Sequence, residues 1–270
     1  MKTQGQVKTA EQRLRGSPRL PLNSPNIERT NAMLLAANNY APTALSDFVF
    51  SDPNSEELLT DIVNGVQPFP ANGQNGILLY GPNGTGKSAL ACLLPTFLEP
   101  GVSPSSPDIR LLRIGVDGSG VDVIDKCTNR GMLIPYEMKY KYFILDEVDI
   151  LSASAMSALK NAMNLPGNVF IFTTNNLQKV EKGVQSRSHV IHMGSATPQQ
   201  WLPICKQILV DQFVVPPSDA TMLSLIAQCK GDARATIGMA KRLARKRLAA
   251  GQIDHVAKAI AAAKTASVTP

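Results

Sequence analysis

Residues 76–90 of the chain read GILLYGPNGTGKSAL. Within them, residues 81–88 fit the pattern G-x-x-x-x-G-K-[ST] of a phosphate-binding loop. The glycines allow the backbone to turn back on itself, so that successive N–H groups point into one concavity at a helix N-terminus. Lys87 adds a positive charge for the terminal phosphates of a nucleotide, and the Ser88 hydroxyl is suited to ligate a bridging Mg²⁺. We therefore predict nucleotide contacts at Gly81, Pro82, Asn83, Gly84, Thr85, Gly86, Lys87 and Ser88.

The residues on either side of this loop have the pattern that a phosphate-binding loop requires. Residues 77–80 form a short apolar run that predicts a buried strand. Residues 88–94 predict a helix, which Pro95 is expected to end or kink. Strand, loop and helix in that order favour a phosphate-binding loop over an ordinary glycine-rich loop.

Composition places the chain among globular proteins. Hydrophobic residues make up 44% of the 270 residues and charged residues 18%, which is unlike a disordered chain. No apolar run approaches the ~20 residues needed to cross a bilayer, so no membrane partner is expected. The first residues lack the apolar centre of a secretory signal, and the four cysteines have no C-x-x-C spacing. We expect reduced thiols and a cytoplasmic location, or a nucleoid-associated one, or the host cytoplasm for a viral protein.

The net charge of +6 permits attraction to nucleic acid without establishing it. Basic residues concentrate in the amino-terminal tail and in one late helical segment that contains Lys241, Arg242, Arg245, Lys246 and Arg247. For both segments two interpretations stay open: a surface that contacts nucleic acid or a partner, or a solvated face.

Apolar runs alternate with helical patterns in the first two thirds of the chain. Besides residues 77–80, strands are predicted at 109–114, 142–145, 169–173 and 190–193. This alternation is typical of a parallel sheet covered by helices on both faces, which is an α/β fold. From residue 197 onwards only helical patterns follow. We predict a basic flexible arm at 1–30, an α/β nucleotide-binding domain at 31–195, and a helical lid domain with a short tail at 196–270.

Two carboxylates follow the third predicted strand. Asp146 and Glu147 come directly after an apolar run, at the sheet edge where parallel α/β proteins bind ligands. The first carboxylate, Asp146, is suited to hold Mg²⁺ together with Ser88, and the second, Glu147, to polarise an attacking water. A solvated strand end is the alternative, and the loop at 81–88 makes it the weaker one.

At this point the chain resembles the AAA+ ATPases and, within them, clamp-loader ATPase subunits such as the small subunits of replication factor C and phage loader subunits. Residues 146–149, Asp-Glu-Val-Asp, resemble their DEAD-type Walker B motif, and the similarity continues to Met163. Residues 40–47 are similar to a Y-x-P-x-x-L-x-D segment, and residues 120–124 to R-G-I-D-V-V. The resemblance implies a five-stranded parallel sheet flanked by helices, a small all-α lid, and ATP as the nucleotide.

The resemblance also implies individual roles. Asn175 matches sensor 1, which orients the attacking water. Arg187, in Ser186-Arg187-Ser188, resembles the S-R-C arginine that acts on the γ-phosphate of a neighbouring subunit. Arg234, in a G-D-x-R segment, resembles sensor 2. The expected catalytic residues of an Mg²⁺-dependent ATP hydrolase are thus Glu147, Asn175, Arg187 and Arg234, with further nucleotide contacts at Tyr40, Pro42, Phe48 and Val49.

The chain departs from the family pattern in three places. Ser188 replaces the cysteine of S-R-C, and Asn161 replaces the second arginine of A-L-R-R, which weakens the case for the same coupling to DNA. Only 23 of the 270 residues follow Arg247. These are too few for the helical collar that holds clamp-loader pentamers together, so a conventional pentameric loader is not expected.

Two functions stay open. The first is a clamp-loader-like ATPase that assembles with itself or related subunits in a ring or spiral, acts on DNA in replication or repair, and has a sliding clamp or helicase as a further partner. DNA phosphates would then meet helix N-termini near residues 118–120 and 152–154. The second is a remodeller or loader of a protein partner, such as a helicase loader, without direct DNA binding. A degenerate nucleotide-binding scaffold is disfavoured, because the residues expected to bind and hydrolyse the nucleotide are all present: Lys87, Ser88, Asp146, Glu147, Asn175, Arg187 and Arg234.

Overall fold

The computed structural model describes residues 42–251. The predictions for the basic arm at 1–30, for Tyr40 and for the tail from residue 252 onwards lie outside these residues.

A parallel sheet forms the centre of this part of the chain. Its strands are β1 (Gly76–Tyr80), β2 (Ile109–Arg113), β3 (Lys141–Asp146), β4 (Asn168–Thr174) and β5 (Ser188–His192). They lie in the order β2-β3-β4-β1-β5, and each neighbouring pair is parallel. The predicted fold class is confirmed. Because all strands run the same way, their carboxyl ends meet at one edge and their amino ends at the other.

Helices cover both faces of the sheet. They are α1 (Pro53–Val63), α2 (Lys87–Leu98), α3 (Val121–Gly131), α4 (Ala153–Ala162) and the short α5 (Lys182–Gln185). Leu78 of β1 faces a core that includes side chains of α3 and α4, whereas its neighbours Ile77 and Leu79 face a core that includes α1 and α2. Alternate strand residues thus pack on opposite faces, as the two-residue period of a strand requires.

Pro95 was expected to end or kink α2, and the structure excludes the first of these alternatives. The helix runs through the buried Pro95 and ends at Leu98. Proline removes one backbone hydrogen bond inside a helix. Here Leu90, Ala91 and Leu94 are fully buried on the same helix, and we attribute its continuation to this packing.

After β5, only helices follow within the described residues: α6 (Pro198–Asp211), α7 (Asp219–Ala227) and α8 (Ala233–Ala249). The buried face of α8 contains Thr236, Ala240 and Ala244. From spacings of three and four residues, the sequence predicts an apolar face of Ile237, Ala240, Ala244 and Leu248. The structure differs at the ends of this face, since Leu248 is 37% exposed and the polar Thr236 is buried. The Thr236 hydroxyl satisfies its hydrogen bond by donating to the Asp232 carbonyl oxygen. No helix between residues 42 and 251 is long and apolar enough to cross a membrane.

Candidate active site

The loop between β1 and α2 has the backbone of a phosphate-binding loop. Gly81, Gly84 and Gly86 all have positive φ, and Gly86 is the N-cap of α2 with φ 95°. Two of these positions also have no room for a side chain. A Cβ atom at Gly81 would overlap the carbonyl of Met193, and one at Gly84 would overlap the Asp232 carboxylate. The predicted strand, loop and helix are therefore present, with the N-terminus of α2 at the end of the loop.

Lys87 is held inside this loop. Its side chain donates from Nζ to the carbonyl oxygens of Gly81 and Pro82, at 2.8 and 2.6 Å, and the residue is 7% exposed. Burial lowers the pKa of Lys87, and the negative charges of Asp146, Asp149 and Glu147 oppose that shift. The ammonium group therefore lies within the field of the acidic end of β3.

A hydroxyl–carboxylate pair joins the loop to β3. The Ser88 hydroxyl donates to Asp146 Oδ1 at 2.7 Å, and the Thr173 hydroxyl donates to the same oxygen at 2.6 Å. Hydroxyl and carboxylate oxygens are the hard ligands that Mg²⁺ prefers, and such sites are completed by phosphate and water. The oxygens of Ser88 and Asp146 therefore fit a magnesium ion.

Glu147 has an unusual backbone conformation. Its φ and ψ are 61° and 50°, in the left-handed region, which costs a residue with a side chain about 1–3 kcal/mol. The Glu147 N–H donates to the Thr173 hydroxyl at 2.9 Å, and the side chain is exposed. The Thr173 hydroxyl thus fixes Asp146 and Glu147 together, and the carboxylate of Glu147 is accessible to water.

Asn175 follows β4, which lies between β3 and β1 in the sheet. Just before it, the Thr174 hydroxyl donates to Asp149 Oδ1 at 2.8 Å, and the Thr174 carbonyl accepts from the Gly81 N–H at 3.2 Å. These bonds tie the end of β4 to the acidic segment and to the phosphate-binding loop. Asn175 is exposed at this edge.

Arg187 lies at the other edge of the sheet. It immediately precedes β5, and its carbonyl accepts from the N–H groups of Asn75 and Gly76, at the start of β1. The five residues of β1 separate it from the loop, which is about 16 Å of strand. Its guanidinium donates to the carbonyl of Gly183 and to Asn164 Oδ1, at 3.0 and 3.2 Å. The structure therefore does not bring Arg187 to the site of its own chain.

The N-terminus of α8 contacts the phosphate-binding loop. The Ala233 N–H donates to the Gly84 carbonyl at 2.8 Å, and the Asp232 carboxylate lies against Gly84 while it caps α8 through the Ala235 N–H at 2.7 Å. Arg234 follows in the first turn of α8 and is exposed. The structure thus places Arg234 immediately after a residue that contacts the loop directly.

The segment before α1 also reaches the loop. Phe48 lies beside Gly86, since an added Cβ would be 3.6 Å from Phe48 Cδ1. Pro42 and Val49 are half-buried in the same segment. Asp47 shapes the segment by accepting from the N–H groups of Thr43 and Ala44, and the Thr43 hydrogen bond is the main reason why the pKa of Asp47 is lowered.

Sequence reasoning missed three residues of this site. From sequence alone, Thr173 and Thr174 only mark the end of a predicted strand, and Asp232 is only part of the motif that contains Arg234. One signal was available. Two consecutive threonines end an otherwise apolar run at the ligand-binding edge of a parallel sheet, and polar residues in that position favour a functional role.

Comparisons with known proteins agree with this geometry. Residues 77–194, which include the loop, Asp146, Glu147, Asn175 and Arg187, match the family model described as ATPase family associated with various cellular activities (AAA). This part of the chain is therefore similar to an AAA ATPase domain.

Proteins that are similar in sequence to this chain include two subunits of replication factor C. Replication factor C subunit 4 of Schizosaccharomyces pombe is 26% identical over 209 residues, which cover 73% of this chain and 56% of that protein. The replication factor C small subunit of Methanocella arvoryzae is 29% identical over 202 residues, covering 73% and 59%. The predicted resemblance to clamp-loader subunits is confirmed, and the chain spans less than two thirds of the length of these relatives.

The chain also resembles solved structures in its fold. A variant of RuvB from Thermotoga maritima superposes with a TM-score of 0.60 at 19% identity, covering 80% of this chain and 68% of that one. At this identity the likeness shows a shared fold.

Proposed function

We propose that the protein is an Mg²⁺-dependent ATPase that hydrolyses ATP between subunits to drive a clamp-loader-like task on DNA, in the cytoplasm or associated with DNA. The observation that carries the intersubunit part is the position of Arg187. Every other described candidate for catalysis lies at the carboxyl edge of the sheet, whereas Arg187 lies at the amino edge. An arginine so placed is remote from the site of its own chain, which supports a role at the site of another chain and hence an assembly of this protein with itself or with related subunits.

Within one site, each residue has a role that follows from its position. The loop amides and Lys87 bind the phosphates, and Ser88 with Asp146 hold Mg²⁺, which neutralises charge on the phosphates when bound. Glu147 accepts a proton from the attacking water, and Asn175 orients that water. Phe48, Pro42 and Val49 contact the nucleoside side of ATP. Arg234 reaches the γ-phosphate from α8, and the Arg187 of a neighbouring subunit completes the charge stabilisation.

The DNA-directed part rests on the relatives, which are named as replication factor C subunits. The net charge of +6 is compatible with it. A sliding clamp or helicase as a further partner belongs to the same proposal.

The test is steady-state ATP hydrolysis by the purified chain over a range of protein concentrations, with and without primed DNA at stated salt. Turnover per chain should rise with protein concentration, because the finger comes from a second molecule. Primed DNA should stimulate turnover several-fold at low salt and lose this effect at high salt. Turnover that is independent of concentration would contradict hydrolysis between subunits, and indifference to every DNA would contradict the DNA-directed task.

A second candidate function, loading of a protein partner without DNA, is favoured by one exposed apolar segment. Met132, Leu133, Ile134 and Tyr136 are 67, 63, 90 and 84% exposed. This apolar segment (residues 132–136) is held in place at its end, because the buried Asp108 carboxylate accepts from the N–H groups of Tyr136, Glu137 and Met138. Exposed apolar clusters of this kind mark docking sites. Hydrolysis that ignores DNA but falls with Ile134→Glu in the presence of the partner would establish this alternative.

A further inference from the structure

Charge is distributed unevenly along the described chain. Residues 42–195 contain eleven Lys and Arg against fifteen Asp and Glu, whereas residues 196–251 contain eight against three. The helical part therefore carries the positive charge, although the nucleotide-binding part carries the site. α8 alone has six cations, no carboxylate and no aromatic residue.

Three of these cations lie on one exposed face. Arg242, Arg245 and Lys246 are exposed, opposite the buried Thr236, Ala240 and Ala244. We call these three residues the basic face of α8. The Arg242 guanidinium lies along the helix over Gly238, since an added Cβ there would be 3.3 Å from Arg242 Nη1. Arg247 points elsewhere and donates to the Val215 carbonyl at 3.0 Å.

No carboxylate neutralises the basic face among the described residues. The three salt bridges between residues 42 and 251 do not include it. The acidic residues of the neighbouring helices have other partners: Asp219 pairs with Lys206, and Asp211 accepts from Gln207 at 2.6 Å. Arg245 Nε donates to the Lys241 carbonyl at 3.4 Å, which leaves both terminal nitrogens available.

We propose that the basic face of α8 binds the phosphate backbone of nucleic acid. This inference rests on the DNA-directed part of the proposed function and names the surface that would carry it. Phosphate contacts need cations on an open surface and no base-reading groups. A protein hot spot would need buried aromatic or apolar anchors, which this face lacks.

The other candidate surface is less suitable. The N-termini of α3 and α4 adjoin each other, because the Ser152 N–H donates to the Ser119 carbonyl at 3.0 Å. However, the exposed carboxylates of Asp117 and Asp122 lie beside them and would repel a phosphate. Among residues 42–251, no carboxylate forms a salt bridge with the basic face of α8.

The experiment measures binding of a fluorescent 20-base-pair duplex to the full chain by anisotropy, without nucleotide, from low to moderate salt. The test variant is Arg242→Gln/Arg245→Gln/Lys246→Gln. The control is Lys126→Gln/Lys139→Gln/Lys182→Gln, which removes the same charge from exposed positions of the nucleotide-binding part. Gln has nearly the helix propensity of Arg and Lys, so circular dichroism and Tm should be unchanged in both.

We expect the test variant to bind about tenfold more weakly and to lose about 2 to 3 from the slope of log K against log salt concentration, because each phosphate contact contributes about 0.9. The control should retain the wild-type slope. Equal losses in both variants would overturn the proposal in favour of a net-charge effect. A normal slope in the test variant would place DNA binding elsewhere and leave the proposed function intact.

Two further outcomes separate the surface from the function. Polyglutamate that displaces the duplex at equal charge concentration would overturn nucleic acid as the occupant and indicate an acidic protein. A wild-type chain that hydrolyses ATP but binds no duplex would overturn this inference and the DNA-directed function together. ATP turnover without DNA should be the same in the wild type and in the test variant, since the basic face makes no contact with the nucleotide site.

Discussion

The two edges of the sheet use polar residues for different purposes. At the carboxyl edge, hydroxyls and carboxylates from three elements converge: Ser88 and Thr173 both donate to Asp146. At the amino edge, buried polar groups hold the fold. Asp108 pairs with Lys141 at 3.0 Å with side chains 1 and 7% exposed, and Asn75 Nδ2 donates to the carbonyls of Met163 and Asn168.

Arg187 is an exception to this contrast between the two edges. It lies among the structural groups of the amino edge, yet its motif resembles that of a catalytic arginine. Under the proposed function, one chain would carry the binding part of a site at one edge and the missing part of another chain's site at the other. Four changes test this division, in order of decreasing expected effect.

Arg187→Ala should lower the turnover number by about 10³-fold or more, because an arginine finger contributes roughly 10³–10⁵ to the rate. ATP binding, measured with a fluorescent analogue, should be unchanged. Mixing Arg187→Ala with a Glu147→Gln chain should restore part of the activity, since each supplies what the other lacks. If no mixing ratio restores activity, Arg187 does not act across an interface.

Glu147→Gln should lower the turnover number by about 10²–10⁴-fold, the usual contribution of a general base. Nucleotide should still bind, because the loop, Lys87 and Ser88 are untouched. Glu57→Gln, an exposed change on α1, is the matched control and should behave as wild type. Normal turnover in Glu147→Gln would remove Glu147 from its role at the carboxyl edge.

Thr173→Val should lower the turnover number by about 10- to 100-fold, because hydrogen bonds to charged groups contribute about 1.5–3 kcal/mol. The lost hydroxyl positions Asp146 and the Glu147 backbone, so the Mg²⁺ concentration required for half-maximal activity should rise. Thr173→Ser keeps the hydroxyl and should recover most of the activity. A Ser variant as impaired as the Val variant would indicate packing in place of hydrogen bonding.

Asp108→Asn should reduce stability and leave nucleotide affinity unchanged. Burial alone would raise the pKa of Asp108, but the N–H groups of Glu137, Tyr136 and Met138 and the Lys141 ammonium lower it to about 2. A folded-state pKa below the unfolded value of 3.8 stabilises the protein by about 2 kcal/mol above that pH, and this stabilisation is lost as the pH falls towards 2. Urea unfolding at pH 7 and pH 3 should therefore show a larger difference between wild type and variant at pH 7. An equal difference at both would assign the loss to packing.

The sequence predicted the strands well because the sheet is buried on both faces. β1, β3 and β4 each contain four consecutive apolar residues, whereas the edge strand β2 includes the exposed Arg110 and Arg113. β5 begins two residues earlier than predicted, since Ser188 and His189 are buried without being apolar. The Ser188 hydroxyl donates to the Val184 carbonyl, and His189 packs against the Phe69 ring.

The chemistry of single motifs was also predictable, whereas contacts between distant segments were not. The residue types and spacing at 81–88 by themselves predict phosphate binding, and the two carboxylates at 146–147 predict metal binding. The hydrogen bond from Thr173 to Asp146 joins residues that are 27 apart in sequence. The hydrogen bond from Ala233 to Gly84 joins α8 to the phosphate-binding loop. Such pairs depend on how the strands and helices are arranged in space, and a residue pattern along one chain does not contain that arrangement.

The Asp108 carboxylate has a consequence for recognition. Because it fixes three successive amides at the end of the apolar segment (residues 132–136), that segment is ordered before any partner arrives. Ordering a loop on association commonly costs about 0.5–1.5 kcal/mol for each immobilised side chain. If this segment docks a protein partner, as the second candidate function proposes, part of that entropic cost would already be met during folding, through a buried carboxylate that the partner never touches.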